Sequence, residues 1–292
     1  MDRISPEAPV PVLEKEKEER FIGGAGLVGS TLSAIGLDTA FFSVVGNDEE
    51  SKIAYQMAKA SGMRSNVVQE EGRKTTVKTR YVATSPYFQM IVRVDNESRH
   101  NLSRKTENKI ISAFRQEVEG SDIVVVSDYN KGFMTHSMVR SIVRISKEAG
   151  VPVAVDTKQD YRIYKGADYL FPNYKEICLM YSLKASNQDS LIRKLGKRLS
   201  EEMDGKVIVK RSEKGCTFFD RNEVTSYLPS TTEVVNVSGA GDIFVAIASG
   251  MVSKGYSMEK ALRLANIGSG IAISKKHPSL TREDFKAVMR KF

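Results

Sequence analysis

Cysteine is nearly absent from this chain: Cys178 and Cys216 are the only two among 292 residues. Two cysteines make neither a disulfide framework nor a zinc site, and both stand in apolar surroundings where a small buried residue suits packing. The three histidines, His100, His136 and His277, are scattered and are assigned no chemistry. No apolar run approaches the roughly 20 residues that a membrane-spanning helix needs. The N-terminus has no apolar core after its charges, so a secretion signal is not expected and a cytoplasmic location is. Zinc-finger spacing and aromatic RNA-binding motifs are also missing. The net charge of +8 therefore does not announce a nucleic-acid partner. Its basic residues are interleaved with acids, as where Lys15, Lys17 and Arg20 alternate with glutamates, in the manner of a solvated surface. There is no internal repeat and no low-complexity linker.

What is there is ordinary globular composition, 41% apolar and 27% charged, in a length that suits one large α/β domain or two small ones. Short apolar runs alternate with helical patterns. Ala40–Val45 reads as a strand and Glu49–Ser61 as a helix ending at Gly62. Ile123–Ser127 reads as a strand, followed by a helix over Thr135–Ala149. Val151–Val155, Tyr169–Phe171 and Val207–Val209 are further strands, with an amphipathic helix over Ser190–Met203. This rhythm predicts βαβ units, a mostly parallel doubly wound sheet and helices on both faces. Val10–Arg20 and Thr75–Val94 break it with β-type alternation, the second predicting a hairpin turned at Ser85-Pro86.

The densest signal is Asn236-Val237-Ser238-Gly239-Ala240-Gly241-Asp242, which leads into the apolar run Ile243–Ala248. Glycines let backbone approach a ligand closely. If a helix begins here, its first N–H groups lack helical partners and form an anion site, phosphate above all. Asp242 is then a carboxylate beside an anion, suited to take a proton from a hydroxyl attacking a phosphoryl group. An acid near a helix N-terminus is also common for stability alone.

The Gly-Ala-Gly-Asp run resembles the signature of the ribokinase (PfkB) family of small-molecule kinases. Other family marks follow in the same order: Gly23-Gly24-Ala25, Val44-Val45-Gly46-Asn47-Asp48, Pro172-Asn173-Tyr174-Lys175-Glu176 and Val209–Gly215. The resemblance spans nearly the whole chain. It is strongest to the branch of D-glycero-β-D-manno-heptose 7-phosphate kinases, through Arg3–Val12, Ser127-Asp128-Tyr129-Asn130-Lys131-Gly132, Asp156-Thr157-Lys158 and Arg211–Gly215.

The resemblance implies a ribokinase-like α/β core over 21–72 and 98–292 with a small β lid over 8–20 and 73–97, the lid serving as a homodimer contact. It implies ATP and Mg²⁺ as cofactors and a phosphosugar acceptor, with no nucleic acid or membrane partner. Asp242 would be the base, and Gly239, Ala240 and Gly241 the anion loop. Asn173 and Glu176 would organise Mg²⁺, Glu176 through water; an Asn cap with Glu at the third helical position is an equal reading of those two alone. Lys210, Ser212, Gly215 and Asn266 would border the nucleotide, although for Gly215 a turn before a strand over Cys216–Phe219 is the better reading. Gly23, Gly24, Arg80, Asp128 and Lys131 would meet the sugar, with Lys78 and Arg93 as further cations from the lid.

The chain also departs from the family pattern. It begins where the family's opening strand, ending in Gly-Asp, would have finished, with Asp2 in the place of its last residue, so an inner strand is expected to be missing. Leu27 stands where the family has a sugar-binding Asn. Asn236 replaces an acid, and Ser274–Pro278 replaces a glycine-rich stretch near a monovalent-cation site, which leaves a potassium requirement open. These 292 residues hold no adenylyltransferase His-x-Gly-His motif, so the expectation is the kinase unit alone. A kinase of another sugar or nucleoside, or a binding protein without catalysis, are the rival readings.

Overall fold

The structure, a computed structural model, describes residues 3–83, 89–221, 223–230, 234–277 and 279–291. The expected turn at Ser85-Pro86, and the positions Asp2 and Pro278, lie outside them. The chain opens with β1 (Arg3–Ile4) and β2 (Pro11–Val12), a short antiparallel pair, and then α1 (Ala25–Ala34). Next come β3 (Ala40–Val45), α2 (Glu49–Ala60) and β4 (Arg64–Gln69), a parallel pair through a helix. The antiparallel pair β5 (Val77–Ala83) and β6 (Gln89–Asn96) follows. The remainder runs α3 (Arg104–Val118), β7 (Val124–Asp128), α4 (His136–Glu148), β8 (Val153–Thr157), β9 (Tyr169–Leu170), α5 (Tyr174–Met180), α6 (Asp189–Met203), β10 (Lys206–Lys210), β11 (Cys216–Asp220), β12 (Glu223–Tyr227), α7 (Ala240–Ser253), α8 (Met258–Ile273) and α9 (Arg282–Arg290).

Six strands form one sheet in the order β12-β11-β10-β9-β8-β7. It is parallel from β7 to β10 and antiparallel beyond. The strands read as unbroken apolar runs because both faces are covered. Val153 and Val155 join the core beneath α3, α4 and α6, with Val207 and Val209 beside them. Ala154 and Ile208 face the other way, into the core beneath α1, α7 and α8. In α7 every residue from Asp242 to Met251 is buried. A helix apolar on all sides belongs inside a protein, and here it carries the Gly-Ala-Gly-Asp start into the interior.

One expectation is corrected. Val10–Arg20 is not a strand throughout: only Pro11–Val12 pairs, and residues 13–23 run without regular structure. Alternation there reflects charge rather than a buried face, since Lys15–Glu18, Lys17–Glu19 and Arg20–Glu18 pair along an exposed segment. The hairpin partner β12, not foreseen, extends the sheet beyond β11. Among the described residues no backbone ladder joins the β3–β4 pair to β7; the two are bridged by helices, with α1 packed against both β3 and β7.

A buried ion pair ties these parts together. Arg73 donates to Glu70 at 2.7 Å, to the carbonyl of Lys131 at 3.1 Å and to that of His100 at 2.6 Å. Glu70 also accepts the N–H of Ser103, the cap of α3, at 2.7 Å. Burial pushes the Glu70 carboxyl up, but the Ser103 N–H and the Arg73 guanidinium outweigh it and hold the group below its ordinary range. This clamp fixes the loop after β7 against the root of β5–β6. Removing one partner leaves a buried charge alone, so Arg73→Met is expected to lose about 3–5 kcal/mol in urea unfolding. The double variant Glu70→Leu/Arg73→Met recovers only part of that loss, because the Ser103 N–H and the His100 and Lys131 carbonyls lose their partners as well.

Candidate active site

The chain enters α7 through Gly239, whose φ of 76° and ψ of −3° lie in the left-handed region that glycine adopts without strain. The Ala240 N–H donates back to the Val237 carbonyl at 3.3 Å. The N–H groups of Gly241 and Asp242 belong to the first turn and have no acceptor within the helix. Asp242 is 6% exposed. Its two carboxylate oxygens accept the Tyr129 hydroxyl at 2.7 and 2.8 Å.

The surroundings of Asp242 come from the C-terminal ends of the parallel strands, the usual ligand edge of an open α/β sheet. Tyr129 follows β7, Asp156 is the penultimate residue of β8, and Lys158 comes just after β8. Lys210 ends β10, with its ammonium 2.7 Å from Asp156 and beside Gly241. Lys158 pairs with Glu176 and lies 5.9 Å from the centre of the Tyr129 ring. Burial is the main force raising the Asp242 carboxyl to about 6, and Asp156 adds to it. The Tyr129 hydroxyl, Lys210 and Lys158 pull the other way. Burial works against the Lys158 ammonium, yet Asp156 and Glu176 hold it above its ordinary range, so it stays charged. The result is a carboxyl poised near neutrality beside two cations and a helix N-terminus.

The other expected residues distribute as follows. Asn173 and Glu176 form a reciprocal cap at the start of α5: Asn173 Oδ1 accepts two backbone N–H groups, and Glu176 Oε2 accepts the Asn173 N–H at 2.7 Å. The cap abuts Lys210 through the backbone of Pro172. Asp128 is buried, with its carboxylate engaged by Thr157, Gln159, Tyr164 and the Asn130 N–H. Lys131 pairs with Glu97 at 2.5 Å, tying the loop after β7 to the end of β6. Gly24 has a φ of 55°, and a Cβ there would lie 3.3 Å from the Tyr129 ring; Gly23 is in open space. Arg80 is exposed on β5, directly across from Arg93 on β6.

On the far side, Gly215 has a φ of 71°, and a Cβ there would come within 2.1 Å of the Tyr227 carbonyl, so the β10–β11 turn needs glycine. Ser212 lies in the same turn. Asn266 is buried and donates to the carbonyls of Tyr227 and Leu228. It lines a cavity of about 420 Å³ with Leu228, Ser230, Arg263, Ile267 and Lys291. Leu27 is buried in the core against α7. Asn236 bridges the Lys276 carbonyl and the Ser238 N–H. Tyr129, Asp156 and Lys158 were not singled out as site residues from the sequence. Their signal was position, each standing at or just past the end of an apolar strand.

Comparison with known proteins gives a consistent answer. The family described as pfkB family carbohydrate kinase matches residues 1–284. Bifunctional protein HldE of Trichlorobacter lovleyi is 37% identical over 277 residues, covering 94% of this chain and 56% of that protein. The HldE protein of Geobacter metallireducens is 37% identical over 278 residues with the same coverage. The chain thus spans a little over half the length of these curated relatives. Among solved structures, phosphofructokinase-2 from Escherichia coli in complex with potassium aligns with a TM-score of 0.78 at 13% identity, over 96% of this chain and 93% of that one. Arabidopsis thaliana ribokinase complexed with ribose and ATP aligns with a TM-score of 0.72 at 19% identity, over 91% and 86%. These two show a shared ribokinase-type fold.

The raised Asp242 carboxyl has a consequence for stability. An acid whose folded pKa lies above its unfolded value binds more protons when folded, so stability falls as pH rises between the two values. For Asp242 that window runs from 3.8 to about 6. Asp242→Asn removes the penalty, so the variant should match the parent near pH 4 and exceed it above pH 7 by up to about 3 kcal/mol. Thermal melts of both proteins across that range test this.

Proposed function

The chain belongs to the pfkB family of carbohydrate kinases, and from that premise we propose that it phosphorylates a sugar phosphate at the expense of ATP. The acceptor we propose is a heptose 7-phosphate, attacked through its anomeric hydroxyl to give the 1,7-bisphosphate. The observation that carries the kinase chemistry is the buried Asp242 carboxyl, raised to about 6 at the N-terminus of α7 between Lys158 and Lys210. A base works best when its pKa lies near the operating pH. The acceptor oxygen bonds to the γ-phosphorus as the bond to the β,γ-bridging oxygen breaks. Asp242 takes the hydroxyl proton, and ADP leaves. The N–H groups of Gly241 and Asp242, with Lys210, meet the charge on the transferred group.

The donor set suits a magnesium ion that arrives with the nucleotide and keeps most of its waters. Among the described residues no group of three or more His, Cys, Asp or Glu side chains converges to hold a bare metal. Asn173 and Glu176 are committed to the helix cap, so Glu176 would meet the ion through water. The ion, when bound, supplies neutralisation of the phosphate charge. On the nucleotide side we assign the cavity beside Asn266 to the base.

The phosphate of the acceptor is read, in this proposal, by the β5–β6 pair acting as a lid. Lys78 and Arg80 alternate along β5 with Arg93 opposite Arg80, and Lys78 lies 5.8 Å from the centre of the Tyr129 ring, so the basic face is turned to the site. Arg93 is paired with Asp95 at 2.9 Å, so Lys78 and Arg80 are the cations this face offers to a phosphate. The outer face carries Tyr81, Val92 and Val94, half exposed and apolar, which we assign to contact with a second copy of the chain.

Measuring ADP release from MgATP over a panel of phosphosugars and free sugars tests the reaction. Turnover is expected with heptose 7-phosphate, absent in Asp242→Asn with ATP binding retained. Arg80→Ser should raise KM for the phosphosugar about tenfold, the equivalent of one charge-assisted contact. Equal activity in Asp242→Asn would refute the base, and turnover on free sugars alone would refute the acceptor class. Sedimentation should show a dimer that Val92→Lys converts to monomer; an unchanged assembly would remove the lid from the interface.

A further inference from the structure

Tyr129 hydrogen-bonds Asp242 directly and has no part in the kinase reaction as proposed. Its hydroxyl donates to both carboxylate oxygens at once. A base must hydrogen-bond the hydroxyl whose proton it takes, and here that position is filled by the protein's own hydroxyl. The ring is held from three sides. Gly24 lies against one face, close enough that any side chain at position 24 would press on it. The ammonium groups of Lys78 on β5 and Lys158 after β8 lie 5.8 and 5.9 Å from the ring centre, within cation–π range. The ring therefore has the glycine turn before α1 and lysines from β5 and from just after β8 around it.

We propose that Tyr129 is a positioning residue that caps Asp242 while no acceptor is bound and yields its place to the acceptor hydroxyl, so that water cannot use the base to hydrolyse ATP. The proposal rests on the reading of Asp242 as the base. With the hydroxyl in place, one proton shared between its two oxygens orients the carboxylate, and water is kept from the spot where the attacking oxygen belongs. An acceptor that brings its own hydroxyl and its own binding energy displaces the cap. A water molecule has no such binding energy to spend. In the balanced side reaction, water oxygen bonds to the γ-phosphorus, the bond to ADP breaks, and the water proton goes to Asp242. The charged and titratable groups facing Asp242 are Tyr129, Asp156, Lys158 and Lys210, with Glu176 behind Lys158. Of these, Tyr129 is the one that bonds both carboxylate oxygens. Its bond favours the ionised carboxylate, so its loss should move the titration upward.

Tyr129→Phe keeps the ring and removes only the hydroxyl. Two changes are expected, each the size of one hydrogen bond to a charged group. ATP hydrolysis without acceptor rises about tenfold relative to the kinase rate, and the acid limb of kcat/KM for heptose 7-phosphate moves up by about one pH unit. KM for that acceptor does not rise. A raised KM with unchanged hydrolysis would make Tyr129 a substrate contact and overturn the proposal. An unmoved acid limb with an unmoved hydrolysis ratio would reduce it to packing and overturn it as well. Asp242→Asn separates the two claims: if it is inactive and Tyr129→Phe shows neither change, only the cap is wrong, whereas an active Asp242→Asn removes the base and the cap together. Should Tyr129→Phe not fold, the unsubstituted protein labelled with ¹³Cζ-tyrosine gives a second readout. One tyrosine signal should shift as pH passes about 6 and lose that response in Asp242→Asn, and absence of such a signal overturns the proposal.

Discussion

Burying an ionisable carboxyl costs free energy, and much of the structure around α7 is arranged to contain the cost of Asp242. The helix is apolar on all sides, so it lies between the sheet and its neighbours α1 and α8, and its first turn reaches the sheet edge from inside the molecule. There Asp242 meets the open end of the helix dipole, the Tyr129 hydroxyl and the fields of Lys158 and Lys210. These favour its ionised form, while burial and Asp156 oppose it. The balance leaves the group near neutrality, where a proton acceptor is useful. The two lysines are themselves held by carboxylates, Lys210 by Asp156 and Lys158 by Glu176. Every charge at this edge is thus answered within a few ångströms, and the side chains are fixed before any ligand arrives.

A second set of charges anchors the parts that surround this centre. The Glu70–Arg73 pair and the Lys131–Glu97 pair join the end of β4, the root of β5–β6, the start of α3 and the loop after β7. That loop carries Tyr129. Strands β5 and β6 and the residue that hydrogen-bonds Asp242 therefore share one anchor. Asp128 contributes to the same rigidity from below, since its carboxylate gathers Thr157, Gln159 and Tyr164 and welds the ends of β7 and β8.

Some of this was legible from residues alone. Ala40–Val45 emerged as a strand with those bounds, and the helices over 49–61, 135–149 and 190–203 agree with the structure to within a residue or two. Strands buried on both faces have a strong apolar signature, and capped helices have clear ends. The segment from Val10 to Arg20 misled because alternation of charge and apolar residues also suits an exposed chain whose ion pairs form along its own length. The Asn173–Glu176 spacing fitted a helix cap and a metal-organising pair equally, and the structure displays the cap. Strand β12 was missed because Glu223–Tyr227 is only partly buried and its apolar content is low.

Sequence alone determined the family, the parallel α/β core and the place of Asp242 at a glycine-rich helix start, because these depend on local pattern and spacing. Tertiary structure alone decided what stands beside Asp242. Tyr129 is 113 residues away along the chain, and the Lys210–Asp156 partners are separated by 54. Their meeting follows from strand order and register in the sheet, and no local pattern encodes the distance between the ends of two strands. The pKa of a buried carboxyl depends on those neighbours, so the residues supply the Asp242 carboxyl and the fold sets where it titrates.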